Sequence, residues 1–141
     1  MSRIYWDTML FVYLLEDNPT YSERVDALLS RARRRNDLLF TSCLALGEIM
    51  AGVEKSAQPQ AAQSVRDALI RMGFSFLPFD EGAVSTFSRL RARERLKAPD
   101  AIHLACAASA GVDLLLTGDK QLIRLDVPGI QFIADFNSSI L

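Results

Sequence analysis

The chain contains little cysteine. Only Cys43 and Cys106 occur among its 141 residues, and both lie in apolar, helix-like runs. A chain of this length can bury a sizeable hydrophobic core without a covalent staple, so we expect both thiols to be reduced and buried. This composition argues against a disulfide-stabilised secreted scaffold and favours a cytoplasmic protein.

Long hydrophobic runs and an excess of charge are also missing. No stretch approaches the roughly 18 consecutive apolar residues of a membrane span. The first residues, "MSR", lead into an apolar run without a signal-peptide pattern. The formal net charge is -1, which excludes a globally basic nucleic-acid binder. We therefore expect a soluble protein with no membrane partner, in which any polyanion is met by a local patch or by a metal ion.

The chain does contain a regular alternation of short apolar runs with longer segments of helical period. Half of its residues are hydrophobic. The predicted strands span residues 4–6, 38–41, 74–78, 114–117 and 130–134. The predicted helices span residues 8–15, 21–35, 43–54, 60–72, 81–96, 100–110 and 120–125. This alternation predicts a single α/β domain over residues 1–141, with a mostly parallel sheet of about five strands and helices on both faces.

Acidic residues recur where these elements meet. Asp7 follows the first predicted strand, and Glu48 lies one turn into the helix after the second. Asp100 opens the helix of "APDAIHLACAA", and Asp119 follows the fourth strand in "LLLTGDK". Because all strands of a parallel sheet end at the same edge, these acids are expected at one rim. Asp100 reaches that rim only if its helix starts there, as a crossover helix leading into the next strand usually does.

Some of these acids also have a purely structural interpretation. An Asp just after Pro is favoured in the first turn of a helix, and an Asp after Thr-Gly is a plausible N-cap, which would account for Asp100 and Asp119. Asp7 and Glu48 are harder to explain in this way, because their neighbours are mostly apolar and a buried carboxylate needs a partner.

A cluster of four carboxylates has an energetic consequence. Such groups repel one another by roughly 1 to 4 kcal/mol per close pair, so the arrangement normally carries a cation or protons. Ligands that are all oxygen favour Mg²⁺, with Mn²⁺ as the alternative. Without a cation we expect at least one raised carboxyl pKa. We also expect Asp7→Asn, at the centre of the cluster, to relieve the repulsion and raise the melting temperature.

The motifs that carry these acids resemble those of the PIN-domain ribonucleases. They are "YWDT", "GE", "PDAIHLACA" and "LLLTGDK", and they occur in this order over nearly the whole chain. The compact length resembles that of the VapC-type toxins of type II toxin–antitoxin systems. The resemblance implies a PIN-like three-layer sandwich and a metal-dependent endoribonuclease that uses Mg²⁺ or Mn²⁺. It also implies an RNA substrate, a small cognate antitoxin whose tail covers the rim, and a homodimer.

The resemblance further implies roles for individual residues. The catalytic and metal-binding residues would be Asp7, Glu48, Asp100 and Asp119, assisted by the hydroxyls of Thr8 and Thr117. For phosphodiester hydrolysis we assign Asp7 and Asp119 as the principal ligands and Glu48 and Asp100 as direct or water-mediated ligands, with one of the latter pair as a candidate acceptor of the proton from the attacking water. The sequence leaves open which of the two it is. Many relatives have a further acid two residues beyond the last aspartate, where this chain has Gln121, so one metal ion or two is also left open.

Basic residues are clustered although the net charge is near zero. The run "RLRARERLK" places Arg91, Arg93 and Arg95 just before Asp100, and "RARRR" closes the second predicted helix. Either run could simply form a solvated helix face. Because the first run leads into the acidic rim, we predict that Arg91, Arg93 and Arg95 bind the RNA backbone.

The only histidine, His103, lies three residues after Asp100, about one helical turn away. It could be a metal ligand or a general base. However, a carboxylate site for a hard cation does not need it, and "AIHLACAA" is mostly apolar, so we predict that His103 serves packing.

Two other functional classes share parts of this pattern. A haloacid-dehalogenase-like phosphatase also has an Asp after its first strand, but it needs a second Asp two residues later, where this chain has Met9. A non-catalytic phospho-acceptor domain needs paired acids after the first strand and an Asp after the middle one. Asp80 follows the third predicted strand, but no acidic pair accompanies Asp7. A non-catalytic binding domain with an acidic metal pocket remains as a further alternative.

Overall fold

The computed structural model describes residues 1–138, in which strands and helices alternate as predicted. The strands are β1 Arg3–Trp6, β2 Leu38–Ser42, β3 Phe74–Leu77, β4 Leu114–Thr117 and β5 Phe132–Asp135. The α-helices are α1 Thr8–Leu15, α2 Ser22–Arg34, α3 Cys43–Glu54, α4 Val65–Met72, α5 Glu81–Arg93, α6 Ala98–Ser109 and α7 Lys120–Ile123. A 3₁₀ helix, Pro59–Ser64, precedes α4.

The five strands form one sheet in the order β3-β2-β1-β4-β5, and every neighbouring pair is parallel. The predicted α/β class is therefore confirmed, and the sheet is entirely parallel. The chain runs outward from β1 to β3 and then returns to place β4 on the free side of β1. This reversal makes a topological switch point between β1 and β4, which is where open parallel sheets form the crevice that binds ligands.

The two faces of the sheet are covered by different helices. Ile4 and Trp6 of β1 are buried in a cluster that includes Phe11 of α1 and Leu69 of α4. Tyr5, between them, is buried in a second cluster that contains Leu104 of α6. Successive strand residues point to opposite faces, so a continuously apolar strand can supply both cores. The result is a three-layer sandwich, which confirms the fold that the resemblance implied.

Several predicted helix boundaries were wrong. Residues 60–72 do not form one helix but a 3₁₀ helix followed by α4. The helix predicted over residues 81–96 ends at Arg93, and Arg95 has a left-handed backbone with φ of 56°. Helix α6 begins at Ala98 and not at Asp100, because Pro99 lies inside its first turn, where its missing N–H needs no partner.

The cysteines only partly match the expectation. Cys43 and Cys106 are both free, but only Cys106 is buried, and the prediction of a buried Cys43 was wrong. Cys43 is the first residue of α3, where the helix starts at the surface. Burial raises the pKa of the Cys106 thiol to about 11.

Within residues 1–138, the helices are too short or too polar to cross a bilayer.

Candidate metal centre at the carboxyl edge of the sheet

The four predicted acids converge on one cavity beside the switch point. Asp7 directly follows β1, and only Gly118 separates Asp119 from the end of β4. Glu48 lies in α3, and Asp100 is the third residue of α6. The cavity has a volume of about 360 Å³ and is lined by Asp7, Thr8, Met9, Tyr13, Glu48, Pro99, Asp100, His103, Gly118 and Asp119. The expectation that a parallel sheet would bring these acids to one rim therefore agrees with the geometry.

Thr117 connects the two acids that follow the central strands. Its buried hydroxyl donates to Oδ2 of Asp7 at 2.7 Å and accepts a hydrogen bond from the backbone N–H of Asp119 at 3.1 Å. The register of β1 and β4 makes this contact possible, since Trp6 pairs with Leu116 and the next residues are Asp7 and Thr117. Thr117 thus fixes the relative positions of two carboxylates that arise far apart in the sequence.

Asp7 and Asp119 also cap helices. Oδ1 of Asp7 accepts a hydrogen bond from the backbone N–H of Thr8, at the start of α1. Oδ1 of Asp119 accepts one from the N–H of Gln121, at the start of α7. The structural interpretation of Asp119 as an N-cap is therefore correct as far as it goes. It does not compete with a role in the cavity, because each carboxylate has lone pairs beyond those that cap the helix.

Glu48 is held by two donors that meet the same oxygen atom. The hydroxyl of Thr8 donates to Oε1 of Glu48 at 2.6 Å, and Nε2 of His103 lies 3.0 Å from that atom. The hydrogen bond from His103 lowers the pKa of the Glu48 carboxyl group, and partial burial opposes this effect only in part. Glu48 is consequently ionised at neutral pH, and its side chain is about 36% exposed.

Asp100 has the opposite electrostatic environment. Burial raises the pKa of its carboxyl group, and the negative charges of Asp119 and Asp7 raise it further. Among the described residues no hydrogen bond offsets these effects, and the charges of His103 and Lys97 do so only in part. The negative charge at this side of the cavity is therefore incompletely balanced by the protein.

His103 takes part in the site, which the packing prediction did not anticipate. The side chain is buried, as packing requires, but it makes polar contacts on both sides of the ring. Nδ1 lies 2.7 Å from the hydroxyl of Tyr5, and Nε2 lies 3.5 Å from Oδ1 of Asp7 in addition to its contact with Glu48. Although burial disfavours the charged ring, the hydrogen bond to Glu48 and the nearby carboxylates raise the pKa of His103.

The sequence held one indication of this role. His103 follows Asp100 by three residues, a spacing that puts both side chains on similar faces of α6. Tyr5 gave no such indication, because its contact with α6 depends on which face of the sheet that helix covers.

The donors at the cavity fit a hard divalent cation in chemical type and in location. They are carboxylate oxygens with hydroxyl neighbours, and the unbalanced charge around Asp100 is of the sign that a cation would compensate. As the side chains stand, however, no three His, Cys, Asp or Glu residues of the described chain are arranged to hold a metal ion. The acids therefore line one cavity, but their side chains do not form a coordination shell in this conformation.

The arginines predicted to bind RNA lie outside this cavity. Arg91 and Arg95 line a groove with Phe87 and Leu96. Arg93 lines a different groove, which also contains Asp126. All three are exposed, and Arg91 is held by a 2.8 Å hydrogen bond to the carbonyl oxygen of Leu96. The structure therefore separates Arg93 from the other two, and their role in RNA binding stays a prediction.

Fold and site together define a parallel α/β protein with an acidic centre at its switch point, and comparison with known proteins identifies the family. The PIN domain matches residues 4–128. The chain therefore belongs to the PIN-domain family, and the resemblance noted in its motifs is confirmed. A comparison with curated protein sequences finds no match.

Solved structures of similar fold include members of the VapBC family of toxin–antitoxin systems. A chain of DNA-bound VapBC from Salmonella typhimurium has a TM-score of 0.75 at 22% identity, and the match covers 96% of this chain and 99% of that chain. VapBC2 from Rickettsia felis, bound to a DNA fragment from its promoter, gives 0.72 at 20% identity, covering 94% and 97%. FitAcB from Neisseria gonorrhoeae gives 0.67 at 21% identity, covering 84% and 88%. These similarities establish the shared fold.

Proposed function

We propose that this protein is a metal-dependent endoribonuclease and the toxin of a toxin–antitoxin pair. The observation that carries the proposal is the convergence of four carboxylates on one cavity in a chain of the PIN-domain family. Family membership supports nuclease activity. RNA as the substrate and Mg²⁺ or Mn²⁺ as the cofactor are the finer parts of the proposal.

The chemistry of the site supports a hydrolase that acts on phosphodiesters. Hydrolysis requires a nucleophile at neutral pH and compensation for charge that grows on the phosphoryl oxygens, both of which a bound divalent ion supplies. Asp7 and Asp119 would hold the ion, with Thr117 keeping them in register. Asp100 has no hydrogen-bond partner within residues 1–138, so its oxygens remain available to the metal, the water or the proton that the water releases. Glu48 would serve as a further ligand, direct or through water.

The proposed partners rest on the similar complexes and on the match in chain length. The Salmonella and Rickettsia proteins are VapBC complexes, and nearly the full length of each matched chain is covered. We propose by analogy that a small cognate antitoxin covers the acidic cavity of this chain and that the toxin forms a homodimer.

The rival functions find less support in the geometry. Asp80, the candidate phospho-acceptor, follows the edge strand β3 and caps α5 by accepting a hydrogen bond from the N–H of Gly82. It lies outside the cavity that holds the acids. The position that a haloacid-dehalogenase-like phosphatase reserves for its second aspartate carries the thioether of Met9, which offers neither a carboxylate ligand nor an acid.

A cleavage assay tests the proposal. We expect the protein to cut an internally labelled RNA when Mn²⁺ or Mg²⁺ is added and to leave it intact with a chelator, because the carboxylates alone would repel the phosphodiester. Single-stranded DNA and a small phosphomonoester are the comparison substrates. Release of phosphate from the monoester without cleavage of RNA would favour the phosphatase, and equal cleavage in chelator would contradict the metal requirement.

The separation of the arginines leads to a prediction about RNA binding. Arg91→Gln and Arg95→Gln should each weaken RNA binding and reduce the slope of log K against log salt by about 1, because each removes a phosphate contact in one groove. Arg34→Gln, an exposed change in α2, is the matched control and should not alter the slope. The effect of Arg93→Gln shows whether its separate groove is also used. Unchanged slopes for the variants of Arg91, Arg93 and Arg95 would indicate that these arginines only form a solvated helix face.

A further inference from the structure

We propose that His103 is a positioning residue, which holds the Glu48 carboxylate at the cavity while the hydroxyl of Tyr5 fixes the orientation of the His103 ring. The inference rests on the proposed metal site, in which Glu48 is a ligand.

The direction of the hydrogen bonds follows from the atoms involved. An ionised carboxylate can only accept, so the 3.0 Å contact between Glu48 Oε1 and Nε2 requires a proton on Nε2. Nδ1 lies 2.7 Å from the hydroxyl of Tyr5, which accepts a hydrogen bond from the charged ring and donates one to the neutral ring, so this contact fixes the ring orientation in either state. Burial raises the pKa of Tyr5 well above its ordinary value, so the hydroxyl keeps the proton that it donates.

The chain of contacts joins the cavity to the most rigid part of the fold. Tyr5 is fully buried in β1, the central strand, which pairs with β2 and β4 on its two sides. The ring of His103 is fixed at one nitrogen by that strand and presents the other nitrogen to Glu48. Thr8 donates to the same oxygen, Oε1, so Oε2 has no donor among the described residues and is free to bind a ligand.

A histidine that served only packing would not need this arrangement. Burying two ring nitrogens and a phenol hydroxyl carries a desolvation cost unless each finds a partner, and apolar side chains would fill the same volume without that cost. Groups that orient metal-ligating carboxylates typically change metal affinity by about 10- to 100-fold when they are removed. The polar chain is therefore explained by its effect on Glu48.

The test compares two substitutions at His103. His103→Leu fills the buried space with an apolar side chain but removes both hydrogen bonds. His103→Gln retains an amide that can donate to Glu48 and accept from Tyr5. Tyr5→Phe is the mildest variant, since it removes one hydroxyl and keeps the ring. Titration calorimetry measures Mn²⁺ affinity, and NMR of ¹³C-labelled glutamate side chains follows the ionisation of Glu48 in the metal-free protein.

We expect His103→Leu to weaken Mn²⁺ binding by about 10- to 100-fold, with Gln restoring most of the affinity and Tyr5→Phe falling between. In the metal-free Leu variant the pKa of Glu48 should rise, because a hydrogen-bond donor to its charged form has been lost. In a Glu48→Gln background, His103→Leu should have little further effect on Mn²⁺ affinity, since the group through which it acts is already gone.

Each other outcome is decisive. Wild-type Mn²⁺ affinity and an unchanged Glu48 pKa in the Leu variant would overturn the positioning role. So would a full additional loss of affinity in the Glu48→Gln background, which would indicate general destabilisation. Failure of the wild-type protein to bind Mn²⁺ would instead overturn the proposed function, and the NMR measurement would still decide whether His103 holds Glu48.

Discussion

Replacing Asp100 by asparagine is expected to lower RNA cleavage by about 10²- to 10³-fold without unfolding the protein. The amide keeps the size of the side chain but loses the charge that a hard cation requires. In the part of the chain that the structure describes, Asp100 makes no hydrogen bond that the change would break, so the loss should appear in catalysis and not in folding. Asp7→Asn, Glu48→Gln and Asp119→Asn should produce losses of similar size.

Two substitutions serve as matched controls for these losses. Glu54→Gln lies at the exposed end of α3, the helix that carries Glu48. Asp67→Asn changes the third residue of α4, the helical position that Asp100 occupies in α6. Both control proteins should cleave RNA at the wild-type rate. Full activity in Asp7→Asn or Asp119→Asn would contradict the assignment of the site.

The same variants test the toxin proposal in cells. Expression of the wild-type chain alone should arrest growth, and co-expression of the adjacent short open reading frame should relieve the arrest. Asp100→Asn should be harmless and Asp67→Asn should remain toxic. Harmless expression of an active wild-type enzyme would count against a toxin.

Much of the fold was predictable because a parallel sheet buried on both faces leaves a clear pattern. Runs such as the one around Tyr5 are apolar at every position, and parallel strands require a crossover helix between them. The common edge of those strands also predicts, from the sequence alone, that Asp7 and Asp119 lie close together. The predicted boundary of α6 is wrong because a start at Asp100 leaves Pro99 outside the helix, whereas proline is well suited to the first helical turn.

The contacts among side chains were less predictable, because they depend on the order of the strands. That β4 lies beside β1 places the Thr117 hydroxyl on Asp7, and that α6 covers the Tyr5 face places His103 against Glu48. The hydrophobic periodicity of the sequence predicts neither the order of the strands nor the face of the sheet that α6 covers. For the same reason the sequence predicts a raised pKa for at least one of the four acids without identifying which one. In the structure the two oxygens of Asp7 accept hydrogen bonds from Thr8 and Thr117, and it is the pKa of Asp100 that is raised.

Metal-free Asp100→Asn protein is accordingly expected to melt above metal-free wild type at pH 7. The folded-state pKa of Asp100 is raised, so its ionised form destabilises the folded protein. This cost develops as the pH rises from the unfolded-state pKa through the raised folded-state pKa and is largest above it. Below the unfolded-state value of about 3.9 both states are protonated, so the difference in melting temperature should vanish there.

With Mn²⁺ bound, wild type should have the higher melting temperature, which reverses the order expected for the two metal-free proteins. Ligand binding stabilises the folded wild type by RT ln(1 + [L]/Kd), which is about 2.7 kcal/mol at a hundredfold excess over Kd. For a domain of this size that corresponds to a rise in melting temperature on the order of 10 °C. Asp100→Asn lacks one ligand charge and should gain much less from Mn²⁺.

Thermal melts of both proteins, with chelator and with Mn²⁺ between pH 4 and pH 7, measure these effects. Asp67→Asn is again the control, because an acid at the third position of a helix favours the helix dipole by about 0.3 to 1 kcal/mol. That substitution loses only the dipole interaction and an exposed ion pair with Arg66, which contributes little, so it should not raise the melting temperature. If Asp100→Asn behaves like Asp67→Asn and wild type shows no shift with metal, the acids at this rim are structural caps and the metal centre is wrong.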